Sequence, residues 1–164
     1  MFTLKNSSST TRLPYLRLSY LIGAFLLCLI SVSASAEQKL IFGEYEVHYM
    51  GLSSSFLTPE VAKIYDIPRS GSLGFLNISV LQKAKGSQVP AAVDANVKGI
   101  IRNLIGQSRE LEFRRIREGQ AIYYISTFRF DDGDMYNFDL DIVPTEAKQK
   151  NFDVKFSQRF YEEE

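Results

Sequence analysis

Cysteine is almost missing from this chain: of 164 residues only Cys28 carries a thiol, and it falls inside an N-terminal apolar run. Once that run is removed the remainder can form no disulfide, no thiolate metal site and no cysteine nucleophile. Histidine is equally scarce, with His48 alone, so a Ser-His-Asp or metal-hydrolase centre would have to be built on one imidazole. No G-x-S-x-G elbow and no phosphate loop occur, and the D-x-D-x-D-G spacing of a calcium loop is absent. Excess charge is missing too, because 19 basic residues balance 19 acidic ones. Nucleic acid is therefore not expected as a partner. No parallel βαβ rhythm and no internal repeat appear.

What is present begins with a leader. Lys5, Arg12 and Arg17 precede the apolar run Tyr20 to Val32, and no acidic residue comes before Glu37. The run is shorter than the ~20 residues a membrane-spanning helix needs. Ala34 and Ala36 then supply the small-x-small pattern of a signal-peptidase site. Leu26-Leu27 ahead of Cys28 are too large for a lipid-attachment site. Residues 1–36 are thus expected to be a cleaved signal peptide, and 37–164 a single periplasmic domain that meets the membrane only through that transient leader. Cleavage removes three basic residues and no acidic ones, which leaves a mild net charge of −3.

The mature chain alternates. Tyr45, Val47 and Tyr49 oppose Glu44, Glu46 and His48 along Gly43–Met50. Thr58-Pro59 reads as a helix start, with Val61, Ile64 and Tyr65 on one face of a short insert near residues 59–65 that Asp66-Ile67-Pro68 ends. Gly74–Lys83 is apolar on both faces, as a central strand would be. Ala91–Leu104 reads as strand because it is rich in β-branched residues, with a helix as the alternative. Ser108–Phe130 reads as a hairpin turning at Glu118-Gly119. Pairing Arg117 with Gln120 sets Phe113 opposite Tyr124 and Leu111 opposite Ser126. A three-residue loop at Asp131–Gly133 would next pair Phe128 with Tyr136, and the alternation of Phe152, Val154 and Phe156 ends the chain. About seven strands with one greasy face each predict an all-β, antiparallel, immunoglobulin-like sandwich. Its expected shared core is Phe113, Tyr124, Phe128, Phe138, Leu140 and Phe156.

The pieces GEYEVHYMGLSSSFLTPEVAKIYDI, LNISVL, NLIGQ, IREGQAIYYISTFRFDDGD and QRFY, in that order, resemble small secreted proteins of Gram-negative bacteria. These are grouped as domain-of-unknown-function family 4426. The resemblance implies a periplasmic β-rich domain and carries no catalytic or binding residue.

Candidate sites come from the residues themselves. Arg114, Arg115 and Arg117 on one strand, with Tyr123 beside Arg114, can recognise carboxylates or phosphates, or else simply protect a sheet edge. His48 and Met50 share a strand face and offer imidazole and thioether, donors that suit copper. Asp131, Asp132 and Asp134 offer carboxylates for calcium, although a solvated turn explains them equally. No catalytic residue stands out and no cofactor is expected. The leading class is a non-catalytic periplasmic domain that binds a protein or an envelope component. A small-ligand or metal carrier, for copper or calcium, is the alternative, and an unrecognised hydrolase is third. N-terminal sequencing of the periplasmic fraction should find a chain starting at Glu37; a start at Met1, or lipid on Cys28, would refute the leader.

Overall fold

The computed structural model describes residues 38–86, 89–147 and 149–162, so the expected signal peptide lies outside the described residues. Among the described residues ten strands form two antiparallel sheets. One sheet runs β1 (Gln38–Phe42), β2 (Tyr45–Ser53), β3 (Leu73–Gln82), β8 (Ala121–Arg129), β7 (Arg114–Glu118), with β4 (Ala91–Ala92) also on β3. The other runs β10 (Phe152–Arg159), β9 (Met135–Pro144), β5 (Ala95–Asn103), β6 (Ser108–Leu111). A 3-10 turn at Ser54–Phe56 leads into helix α1 (Pro59–Ile64), which Thr58 caps by accepting from the Val61 amide at 3.3 Å.

The expected sandwich stands, with more strands than the seven anticipated. Ala91–Leu104 is extended and not helical, but it is two strands: β4 pairs with β3 in the first sheet, β5 belongs to the second, and the chain crosses between them at Val93-Asp94. The segment Ser108–Arg117 is not one strand. It is β6 in one sheet and β7 in the other, and the chain crosses between them at Glu112-Phe113. The hairpin register also differs: Glu118 pairs with Ala121 and Arg115 with Tyr124, leaving Gly119-Gln120 as a two-residue loop. Gly119 has φ +56°, and glycine at the first loop position is what a type II′ turn requires. The new register keeps the same side chains inward, because both pairings have the same parity.

Phe128 and Tyr136 are not neighbours in a sheet. β8 and β9 belong to opposite sheets, and Asp131–Asp134 is a crossover between them. The two rings do meet, with centroids 6.3 Å apart, but across the interior.

One cluster fills that interior. Val47, Leu76, Ile78 and Val80 come from the first sheet, and Ile101, Phe138, Leu140, Ile142 and Val154 from the second. Of the expected core, Tyr124, Phe128, Phe138 and Leu140 are buried, while Phe113 and Phe156 are partly buried against the cluster. Phe128 links the layers by edge-to-face contacts with Phe138, at 5.4 Å, and Phe160, at 5.2 Å. Its ring lies over Gly74, its cross-strand partner: a Cβ there would come within 2.4 Å of the ring.

The insert departs from its expected face. Ala62 and Ile67 are buried, whereas Val61 and Ile64 point outward, at 37% and 70% exposure. The small Ala62 is the buried residue of this six-residue helix. A second cluster forms here, with Phe75 and Ile125 from the outer face of the first sheet packed against Ile67, Leu57 and Tyr65 of the insert.

Phe128→Ala should destabilise by ~3–5 kcal/mol, as large aromatic truncations in cores do. Gly74→Ala, which drives a methyl into that ring, should cost about 1–3 kcal/mol. Urea unfolding measures both, and a loss under about 0.5 kcal/mol in each would contradict this packing.

Candidate functional site

The basic strand β7 lies at the edge of the first sheet, and its side chains are held on both faces. On the inner side Arg115 and Arg117 grip one carboxylate, their Nη2 atoms 2.6 and 2.8 Å from Asp94 Oδ1 and Oδ2. Tyr124 completes the cluster. Its hydroxyl accepts from the Ala95 amide at 2.7 Å and donates to Asp94 at 3.5 Å. Burial, more than any neighbour, holds the Tyr124 hydroxyl above its ordinary pKa. On the outer side the Arg114 guanidinium donates to the carbonyl of Tyr65 in the insert, and the Tyr65 hydroxyl donates to Glu118. That hydrogen bond is the main reason the Tyr65 hydroxyl is also raised. Tyr123 stands opposite Ile116 and Arg114 opposite Ile125, so the expected Arg114–Tyr123 pairing is replaced by the bond to Tyr65.

Asp94 was not among the candidates. A signal was available: it is the only acidic residue between Asp66 and Glu110. An isolated acid in an otherwise apolar and basic stretch calls for a partner.

Along β2, Glu46, His48 and Met50 follow one another on the outer face of the first sheet. His48 Nε2 is 3.2 Å from Glu46 Oε2, and Lys39 of the neighbouring strand is 3.1 Å from the same oxygen. The Lys39 hydrogen bond, helped by His48, holds the Glu46 carboxyl below its ordinary pKa. Met50 is 37% exposed, and the Oδ1 of its cross-strand partner Asn77 is buried without a hydrogen-bond donor.

The acidic turn is used in holding the end of the chain. The Asp131 amide donates to the Tyr136 hydroxyl, the Gly133 amide to the Phe160 carbonyl, the Phe160 amide to the Asp134 carbonyl and the Glu162 amide to Asp132 Oδ1. Among the described residues no three His, Cys, Asp or Glu side chains come together as a metal site. The turn therefore does not gather the carboxylates that calcium wants.

Sequence reasoning passed over the turn between β5 and β6. Asn103 fixes it four times: its amide donates to the Gln107 carbonyl, its carbonyl accepts from the Gly106 amide, and its side chain exchanges two bonds with Gln107 at 2.9 and 3.0 Å. Gly106, at φ +86°, supplies the left-handed corner. The tip so held presents Leu104 and Ile105 at 70% and 79% exposure. Beside it a cleft of about 260 Å³ opens between the sheets, walled by Asn103, Gln107, Arg109, Arg129 and Asp131 over Ile101 and Tyr136. Phe56, 63% exposed, follows the end of β2, the strand end that pairs with the start of β3 at this same pole.

The molecule is thus a two-sheet antiparallel β domain with an ion-paired basic edge, a polar row along β2 and a preorganised apolar tip. Its class is that of small antiparallel β-sandwich domains. The chain belongs to the family described as domain of unknown function DUF4426, whose model matches residues 39–163. A solved structure of a DUF4426 family protein from Pseudomonas aeruginosa PAO1 is similar at 30% identity and TM-score 0.67, over 80% of this chain and 99% of that one. More distant in sequence, FetP of uropathogenic Escherichia coli strain F11, solved after recombinant expression in the periplasm, shares the fold at 13% identity and TM-score 0.56. That match covers 79% of this chain and 96% of FetP. A copper-bound variant of Campylobacter jejuni P19 does so at 10% identity and TM-score 0.51, over 76% of this chain and 95% of that one. A comparison with curated proteins finds no match.

Asp94→Ala removes the acceptor for two half-exposed guanidiniums. Each such pair contributes at most about 1 kcal/mol, so the loss should stay near 1–2 kcal/mol. Hydrogen exchange should nonetheless rise selectively at β7 amides. Unchanged exchange there would show that the cluster does not hold the edge.

Proposed function

We propose that the mature domain is a non-catalytic periplasmic binding domain that takes up a protein or an envelope component at the pole carrying Leu104 and Ile105. One observation carries the reading: a turn fixed by four hydrogen bonds spends its rigidity on holding two large aliphatic side chains in water. Folding alone gains nothing from that arrangement, whereas binding gains from an apolar anchor whose ordering cost is already met. The leader read from residues 1–36 supports the compartment. The arginines of β7 serve the fold in this reading, since Asp94 and Tyr65 engage all three.

A second reading has its own observation. Glu46, His48 and Met50 align carboxylate, imidazole and thioether on one strand face, with His48 Nε2 3.2 Å from Glu46 Oε2. That donor set suits copper, which the P19 variant and a FetP variant with this fold are reported to bind. Lys39 would have to leave Glu46 for a cation to enter.

Crosslinking in intact cells tests the first reading. Leu104→Asp with Ile105→Asp should leave stability within about 0.5 kcal/mol, because both side chains are exposed, yet abolish the crosslinked partners of the wild type. Retention of every partner would refute it. Copper titration by calorimetry tests the second: saturable binding by the wild type and none by His48→Ala is the expected pair of results, and no binding by either removes the copper reading.

A further inference from the structure

β1, β7, β6 and β10 close the ends of the two sheets. β1 and β7 have five residues each and β6 four, but β10 has eight. Edges are blunted by brevity, proline, a bulge or an inward-pointing charge. β10 has none of these: its register with β9 is unbroken, and Asp153, Lys155 and Arg159 all point out of the sandwich. Lys155 is the one residue that could guard the edge, and it is held at 3.0 Å from Asp153 and 3.4 Å from Asp139. The hydrogen-bonding phase of the strand follows from its end. The Phe160 amide donates to the Asp134 carbonyl, and the Phe160 carbonyl accepts from the Gly133 amide. Backbone groups alternate between the two sides of a strand, so Phe152, Val154, Phe156 and Gln158 bond β9. On the far side of β9 the Thr145 amide donates to the Asp94 carbonyl, which gives the same phase independently. The amides and carbonyls of Asp153, Lys155, Ser157 and Arg159 therefore face away from β9, where no strand lies among the described residues.

We infer that β10 is a docking edge for the β10 of a second copy of this chain, paired antiparallel about a two-fold axis at Phe156. The charge pattern selects both the occupant and the register. Only pairings that join odd-numbered residues satisfy the outward backbone groups. Centred on Phe156, such a pairing sets Asp153 opposite Arg159 of the second copy, twice, and Lys155 opposite Ser157, also twice. No like charges meet, and almost the whole strand is paired. Sliding one copy by two residues sets Lys155 against the other Lys155, or against Arg159, which is unfavourable. Sliding it by four leaves only part of the strand paired. Arg159 can take this role because only its Nη1 is engaged within the chain, by the Gly133 carbonyl, and a guanidinium has further donors. Phe156, half-buried at mid-strand, would be covered by its own counterpart at the axis. Such an interface is isologous, as a two-fold dimer requires. It reverses strand direction across the axis, so the two Leu104–Ile105 turns lie at opposite ends of the dimer.

The test uses protein processed by cells that express the full-length chain, followed by sedimentation velocity over a dilution series. The wild type should pass from dimer to monomer on dilution. Asp153→Arg and Arg159→Asp each set like charges opposite one another in two places, and should each weaken the dimer about tenfold or more. Mixed in equal amounts, the two variants should associate again, because the mixed pair restores both opposite-charge contacts. A role in folding alone cannot produce that rescue. Hydrogen exchange of the wild type gives a reading that needs no variant: the amides of Asp153, Lys155, Ser157 and Arg159 should slow as concentration rises. A wild type that is monomeric at its highest soluble concentration overturns the proposal. So does a dimer that either charge reversal leaves intact, a mixture that fails to associate, or exchange at those four amides that ignores concentration. The inference does not rest on the binding reading above. Leu104→Asp with Ile105→Asp should dimerise like the wild type, so either proposal can fail without the other.

Discussion

The ring of Phe128 pressed on the bare backbone of Gly74 is the contact on which the sandwich depends. Without a side chain at Gly74, the ring can lie flat against its own sheet and still reach Phe138 and Phe160 of the facing layer. Phe138 stacks in turn on Phe156 at 4.6 Å, and Phe156 on Tyr49 at 4.4 Å, which returns the chain of rings to the first sheet. In a sequence whose only cysteine precedes the described residues, this aromatic relay does what a cross-sheet disulfide does in other sandwiches. It stabilises by burial and by shape, so it tolerates little change of volume.

The edges show a second economy. An edge strand presents unpaired backbone groups to any passing strand, and β7 is charged and short, as protected edges are. Its charges also have partners within the molecule. Asp94 holds two arginines on the inner face and the insert holds the third on the outer one. The same residues that suggest a docking surface in a linear reading are therefore occupied in the fold. The apolar side chains at the β5–β6 tip stay exposed instead, and the proposed binding role rests on that contrast.

Much of the architecture was legible because alternation is a local property. Tyr45, Val47 and Tyr49 had to face away from His48 whatever strand lay next to them. The extended backbone of Ala91–Leu104 and of the apolar Gly74–Lys83 followed from β-branching and from greasy residues on both faces, although the first is divided between the two sheets. Thr58-Pro59 marked the helix start for reasons contained in three residues. The candidate sites fared less well, since His48, Met50 and the aspartates could be placed on faces and turns but not assigned neighbours. Lys39 beside Glu46 and the bond from Glu162 to Asp132 join residues that share no pattern in the sequence.

Sequence by itself determined which strand side chains turn inward, and that two antiparallel layers must cover each other. Tertiary structure alone decided which strands are neighbours. Ser108–Arg117 and Phe128–Tyr136 each satisfied a hairpin reading, yet each chain segment passes to the opposite sheet instead. The alternation of inward residues is identical in both arrangements, because the inner faces of the two sheets bury the same apolar groups. Only the fit of Phe128 over Gly74 and the reach of Arg115 and Arg117 to Asp94, contacts between residues 20 to 50 or so apart, distinguish one arrangement from the other.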